Sequence, residues 1–278
     1  MTLHLFTLTL HSKSHILKAI NNMKLSENRY VAMLQRSLSS LNAFEISLLA
    51  AIMILSIVSF VLKGEFEFNN FLAALSAILG VFCVVLGAKG SMANWIFGIF
   101  EGIIYTYICF AGHIYGDALQ RLLYTLPMQF IGWHLWSKRE RNDGSTQIVT
   151  RYMSWGIRFV YLILTAAMTL AFGLFLKFAG PHLTDFFHSM NFHVQPEYAN
   201  EYQLWFDAAS TVLAIVTTWI SAKAYVEQWY LWLVINFLSI SIWIMSDSAF
   251  SFMIVSKYSI YTINCIYGIW MWHRLSKN

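Results

Sequence analysis

Charge is what this sequence has least of. Of its 278 residues only 12% are Asp, Glu, Lys or Arg, against 58% hydrophobic. A soluble domain carries roughly 25% charged residues, and a globule of this size needs that charge to cover its surface. The shortage excludes a soluble enzyme, a disordered protein and a nucleic-acid binder, and it leaves an all-α polytopic chain in a lipid bilayer. The formal net charge of +4 does not point to nucleic acid, because the basic residues gather in particular loops. Proline is scarce, at three residues, so little interrupts helices. Cys83, Cys109 and Cys265 lie in apolar runs without a CxxC pair and read as small buried apolar groups. The phosphate loop of an ATP-driven pump, the His-Glu-x-x-His zinc motif and the arginine ladder of a voltage sensor are all missing. His182, His188 and His193 have spacings unsuited to one helical face, so neither metal nor cofactor is expected.

Long apolar runs are what the sequence has instead. Eight segments suffice to cross about 30 Å of hydrocarbon as helices: 43–62, 71–88, 94–112, 117–136, 155–177, 205–222, 229–246 and 250–272. They are continuous rather than alternating, which argues against barrel strands. The Lys/Arg distribution sets their orientation. With the N-terminus inside, thirteen basic residues fall inside: Lys13, Lys18, Lys24, Arg29, Arg36, Lys89, Lys138, Arg139, Arg141, Arg151, Lys223, Arg274 and Lys277. Only Lys63 and Lys177 fall outside. Both termini are therefore expected in the cytoplasm. Residues 1–42 form a tail: its apolar stretch Leu3–Leu10 is too short for a span and precedes its positive charges, unlike a signal peptide. Residues 15–41 are expected either as a basic surface helix, with Ile16, Ile20, Met23 and Leu34 toward lipid, or as a disordered tail.

The chain matches itself at an offset of 134. Ala74, Ser76, Leu79, Ala88, Lys89 and Trp95 align with Ala208, Ser210, Leu213, Ala222, Lys223 and Trp229. The match resumes, with a small slip, at Gly132-Trp133-His134-Leu135-Trp136 and Gly268-Ile269-Trp270-Met271-Trp272. Each unit holds three helices, 71–136 and 205–272. Three helices reverse the chain, and the single helix 155–177 restores its direction. The expected plan is 3+1+3 with parallel repeats, preceded by the extra helix 43–62. Carriers built this way place their substrate near the midplane between the halves.

Polar side chains inside apolar helices tend to line a pathway. Glu101 and Asn236 lie about two turns inside the second helix of each unit, roughly 10 Å deep, at nearly matching places. Trp232 is one turn from Asn236 on the same face, and an aromatic plate beside an amide suits a planar, hydrogen-bonding ligand. Gln129 and Asn264 lie on the third helices. Asp207 and Thr211 are one turn apart near the outer end of helix 205–222, where Asp207 serves equally well as a helix cap. Arg121 shares a face with Asp117 and is expected to pair with it; Lys257 has Asp247 or Glu101 as its expected partner. Trp95 and Trp229, at helix ends, read as an interfacial belt. The embedded Glu101 also leaves a proton-coupled carrier open. An intramembrane lipid enzyme would need a cluster of acids or histidines at one depth, which the sequence lacks.

Asn94-Trp95-Ile96-Phe97-Gly98, Tyr115-Gly116-Asp117 and Pro127-Met128-Gln129-Phe130-Ile131-Gly132-Trp133 together resemble the PnuC-type vitamin transporters, the nicotinamide riboside transporter family. So do Trp205-Phe206-Asp207 followed by Lys223, Glu227, Trp229, Trp232 and Asn236. The resemblance covers about residues 70–273 and omits the extra N-terminal helix. It implies a SWEET-like 3+1+3 core and facilitated diffusion of nicotinamide riboside across a bacterial inner membrane, without ATP or a coupling ion. A cytoplasmic kinase would then trap the nucleoside. Relatives carry thiamine or riboflavin, and the resemblance allows a trimer. Within it Trp232 would stack on the flat cationic ring, Asn236, Gln129 and Asn264 would bond its amide or the ribose hydroxyls, and Glu101 would offset its charge. Asp207 and Thr211 complete the expected binding set.

Overall fold

The computed structural model describes residues 30–63, 68–111, 115–139, 147–189, 200–245 and 251–276. They divide into two units, Met1–Leu41 and Asn42–Asn278. In the first, α1 spans Tyr30–Ser39, and the Ser37 hydroxyl donates to the Met33 carbonyl at 2.8 Å. Ile16, Ile20 and Met23 of the expected surface helix lie outside the described residues.

The second unit is all helix apart from its connections: α2 Ala43–Lys63, α3 Phe68–Ala88, α4 Ala93–Ala111, α5 Tyr115–Gln120, α6 Leu126–Ser137, α7 Trp155–Ser189, α8 Glu201–Ala222, α9 Gln228–Met245 and α10 Ser251–Leu275. These follow the expected segments closely, with one clear difference. α7 runs well past 177, with Pro181 inside it, because helical geometry outlasts the apolar run from which an end was expected. By length and composition, three helices among the described residues are long and apolar enough to cross a membrane, over Phe71–Ala88, Trp155–Ala179 and Glu201–Ala222; Ala93–Cys109 and Gln228–Ile242 are shorter apolar stretches. α7 exposes Phe159, Val160, Leu162, Ile163, Leu164 and Leu170, an arrangement that water would not tolerate and lipid favours.

α5 and α6 are joined by a π-helical turn, Arg121–Thr125, in which the Leu126 N–H donates to the Arg121 carbonyl. Proline explains it. Pro127 lies in the first turn of α6, where it donates no hydrogen bond and its ring would crowd the carbonyl four residues back. Widening the turn relieves both, and such turns are frequent at functional sites.

One main-chain pattern occurs twice at one end of the bundle. α3 and α8 both end in a Schellman cap. Ser91 N–H bonds Leu86 O and Gly90 N–H bonds Gly87 O; the same bonds, Tyr225 to Ile220 and Ala224 to Ser221, recur 134 residues later. The left-handed residues are Gly90 (φ 73°) and Ala224 (φ 59°). A Cβ on Gly90 would also lie 2.7 Å from Leu275 Cδ1. Gly90→Ala is therefore expected to lower stability by about 1–2 kcal/mol, read as a fall in thermal midpoint in detergent; an unchanged midpoint would count against the strain.

Four tryptophans close this end. Trp95 packs on Trp136 (ring centroids 5.1 Å), Trp136 on Trp272 (5.5 Å) and Trp272 on Trp229 (5.8 Å). The two central indoles reach across reciprocally: Trp136 donates to Ser221 O on α8 at 2.9 Å, and Trp272 to Gly87 O on α3 at 3.0 Å. The C-terminal ends of α3, α6, α8 and α10 thus meet in one place, so these four helices run in the same sense. The expectation of an interfacial belt is corrected for Trp95 and Trp229, which are only 3% and 4% exposed. Each ring fills the space over a glycine, Gly132 for Trp95 and Gly268 for Trp229.

The linker before α7 is stitched to both halves. Ile148 N–H bonds Gly90 O, Arg151 N–H bonds Ala224 O, and Val226 N–H bonds Arg151 O. The Thr150 hydroxyl bonds Trp272 O at 2.8 Å. Glu227 Oε1 takes the Met153 N–H at 3.0 Å and the Arg158 guanidinium at 2.6 Å.

α2 begins with a capping box: Asn42 Oδ1 accepts from Glu45 N–H, and Glu45 Oε2 accepts from Asn42 N–H. The same carboxylate, wholly buried, binds Lys89 Nζ at 2.9 Å and the Tyr267 hydroxyl at 2.6 Å. The extra helix is thereby fixed to the end of α3 and to α10.

Candidate functional site

The middle of α3 is the floor on which most of the expected site residues converge. There α4 packs against α3 at Gly80, whose Cβ position lies 3.6 Å from Glu101 Cγ, an ordinary van der Waals distance. Gln129, on α6, packs directly over Gly98 of α4 and beside Cys83; a Cβ on Gly98 would fall 2.3 Å from Gln129 Oε1 and 3.2 Å from Cys83 Sγ. Asn264, on α10, donates to the Val84 carbonyl at 3.3 Å. Asn236, on α9, donates to Cys265 Sγ at 3.5 Å, next in the chain to Asn264. Glu101, Gln129, Asn264 and Asn236 are therefore linked through residues 80–84 and 265, across α3, α4, α6, α9 and α10.

Several of these groups keep hydrogen-bonding capacity. Gln129 Oε1 and Asn264 Oδ1 are buried and make no hydrogen bond among the described residues, and the same holds for Asn94 Oδ1, Thr217 Oγ1 and Gln228 Nε2. A buried polar atom left without a partner costs about 1–3 kcal/mol, which a polar solute at the right place would recover. Asn94 and Gln228 were missed in the sequence, although they occupy matching places at the 134-residue offset, each one residue before a matched tryptophan.

Trp232 is half-buried on α9, one turn before the buried Asn236. Asp207 and Thr211 are half-buried on α8. Asp207 is not the cap of its helix. Asn200 is, accepting from the Gln203 N–H at 2.9 Å, and Asp207 sits in the second turn.

The charged groups gather around Glu101. Arg121 pairs with Glu101: Nη1 lies 3.0 Å from both carboxylate oxygens. The side chain of Asp117, the expected partner, lies outside the described residues. The Arg121 guanidinium also lies 3.9 Å from the Tyr105 ring centroid. Antiparallel neighbours that diverge from one turn bring residues of similar depth together. Lys257 stands over Tyr258 and Tyr261, at 5.4 and 5.7 Å from their centroids, and within electrostatic range of Glu101. Asp247, its other expected partner, lies outside the described residues. The Tyr124 hydroxyl, in the π turn, donates to the Ile215 carbonyl of α8, a further contact between the two groups of helices. The groove between α2 and α10, lined by Phe44, Ile263, Ile266 and Trp270, is apolar and separate from this cluster.

Apolar helices wrapped around buried amides and a carboxylate define an all-helical membrane protein with a polar interior, the class to which small-solute carriers belong. The chain belongs to the nicotinamide mononucleotide transporter family, whose sequence model matches residues 70–274. It is 28% identical over 244 residues to the nicotinamide riboside transporter PnuC of Haemophilus influenzae, covering 87% of this chain and 95% of that one. The PnuC of Neisseria mucosa is 27% identical, with 76% of each chain covered. A riboflavin/roseoflavin transporter, RibM of Streptomyces davaonensis, is 24% identical over 72% of this chain and 83% of its own length. The crystal structure of the vitamin B3 transporter PnuC is similar in fold, with a TM-score of 0.66, 24% identity and coverage of 88% of this chain and 97% of that one.

Proposed function

We propose that this protein carries nicotinamide riboside into the bacterial cytoplasm by facilitated diffusion. The observation that carries the reading is the likeness to the Haemophilus influenzae nicotinamide riboside transporter along nearly the whole of both chains. The buried, partly unbonded amides of Gln129 and Asn264 give that reading a chemistry. Nicotinamide riboside is a flat cation with a carboxamide and ribose hydroxyls. Trp232 stacks on the ring, contributing about 1–2 kcal/mol as a cation–π contact. Asn236, Gln129 and Asn264 bond the carboxamide and hydroxyls, Glu101 offsets the charge, and Asp207 and Thr211 line the path from α8.

The finer architecture is proposed with it: eight spans, of which α3–α6 and α8–α10 are parallel repeats, α7 is the connecting span and α2 the additional one. The matched Schellman caps, the reciprocal Trp136 and Trp272 bonds and the common direction of four helices support this plan. The end that carries Lys89, Lys138, Arg139, Arg151, Lys223 and Arg274 faces the cytoplasm, by the same thirteen-to-two bias in basic residues. A cytoplasmic kinase traps the nucleoside, which removes any need for an energy source in the carrier. Assembly as a trimer rests on the family resemblance alone.

The relative that carries riboflavin gives a second reading, in which a larger flat ring uses the same amides; thiamine, another flat cation, is the third candidate. Uptake of labelled nicotinamide riboside, riboflavin and thiamine into liposomes containing the purified protein separates the three. Nicotinamide riboside is expected to enter fastest, with a rate indifferent to pH; preferential entry of either competitor would replace the reading. Trp232→Ala and Asn236→Ala are each expected to weaken nicotinamide riboside binding about tenfold or more by calorimetry, a loss of about 1.4 kcal/mol. Unchanged affinity in both variants would remove these residues from the site.

A further inference from the structure

Arg121 is itself a planar cation. Its Nη1 donates to both oxygens of Glu101, and its guanidinium lies over Tyr105. Glu101 and Tyr105 are four residues apart on α4 and so share one face. A carboxylate and an aromatic face one helical turn apart make a receptor for a flat, delocalised cation: the carboxylate supplies countercharge and the ring its negative face. The pair is not sealed in, since the side chains of Arg121 and Glu101 are 26% and 17% exposed.

The surrounding charge decides how another cation would enter. Lys257, exposed on α10, is also within electrostatic range of both Glu101 and Arg121. One carboxylate already answers to two cations, so a third would be repelled unless one leaves. Arg121 is the one placed to leave. It opens the π turn, and a return of that turn to α-helical register would rotate it by about 100° relative to α6.

We infer that Glu101 and Tyr105 form a subsite for a planar organic cation, occupied in this structure by Arg121, which a pyridinium ring displaces. The subsite lies on α4, whereas Trp232 lies on α9, and it gives the ring a second station along its path. The inference rests on the proposed function only for the identity of the natural cation, and its test does not need that function to hold.

The full chain in detergent carries the test. In Arg121→Ala, millimolar methylguanidinium or 1-methylnicotinamide is expected to raise the thermal midpoint by about 2–4 °C over sodium chloride of equal ionic strength. The double variant Arg121→Ala, Glu101→Gln is expected to show no rise. Failure of both probes to stabilise Arg121→Ala, or equal stabilisation of the double variant, overturns the subsite. Should Arg121→Ala not fold, Arg121→Gln takes its place with the same probes, and the same two results would overturn the subsite. Arg121→Gln should also bind nicotinamide riboside about tenfold more tightly than the wild type and leave affinity for the uncharged dihydro form unchanged; no gain for the cation overturns the displacement. A wild type that binds no nicotinamide riboside, beside an Arg121→Ala stabilised by 1-methylnicotinamide, would end the proposed transport function and leave the subsite standing.

Discussion

Gly132→Ala is expected to prevent the protein from folding. The added Cβ would sit 2.2 Å from Trp95 Cη2 and 2.4 Å from Cζ2 and Cζ3, and Trp95 cannot retreat, because its other side meets the edge of Trp136. Overpacking a core typically costs about 1–3 kcal/mol; here the intruded atoms belong to a rigid ring in a four-ring stack, so the cost should reach or exceed the top of that range. Gly268→Ala repeats the experiment in the second repeat, where the Cβ would lie 2.5 Å from Trp229 Cδ2. Both variants should yield aggregated protein on size exclusion in detergent. A monodisperse Gly132→Ala protein melting within a degree or two of the wild type would mean that the tryptophan cluster yields easily and does not lock this end.

Lys89→Met should be nearly as damaging, for an electrostatic reason. Glu45 is fully buried and Lys89 is 6% exposed, so removing the lysine leaves a carboxylate with a hydroxyl and a main-chain N–H but no countercharge. Breaking a buried pair from one side costs about 3–5 kcal/mol, whereas replacing both partners by apolar residues is often close to neutral. The double variant Glu45→Met, Lys89→Met should therefore melt at a higher temperature than Lys89→Met alone, although it has also lost its capping carboxylate. If the double variant proved the less stable of the two, the pair would be a net source of stability rather than a means of fixing α2 in one register.

Much of the fold can be read in the sequence because hydropathy follows the chain continuously. The expected 94–112 and 229–246 appear as Ala93–Ala111 and Gln228–Met245. The sequence match at an offset of 134 has a main-chain counterpart in the caps of α3 and α8, which make the same bonds with different side chains. What the sequence conceals is which helix faces which. Trp95 and Trp229 look like belt residues because a tryptophan at a helix end is most often one; the glycines that receive them belong to other helices. The pairing of Arg121 with Glu101 is hidden for the same reason, since that partner lies across a turn in space. For the site, Gln129, Asn236 and Asn264 stand out as amides in apolar runs, and the structure brings them together with Glu101. Asp207 and Thr211 remain expectations, because depth along α8 says nothing about azimuth.

Four indoles in edge or tilted contact at 5.1–5.8 Å should couple optically as well as mechanically. Any state in which the two halves part at this end must separate Trp136 from Trp272, and with them the excited-state coupling that neighbouring chromophores share. The near-ultraviolet dichroism of the unlabelled protein would then report on the opening of its own basic mouth, a built-in spectroscopic clock for the carrier cycle.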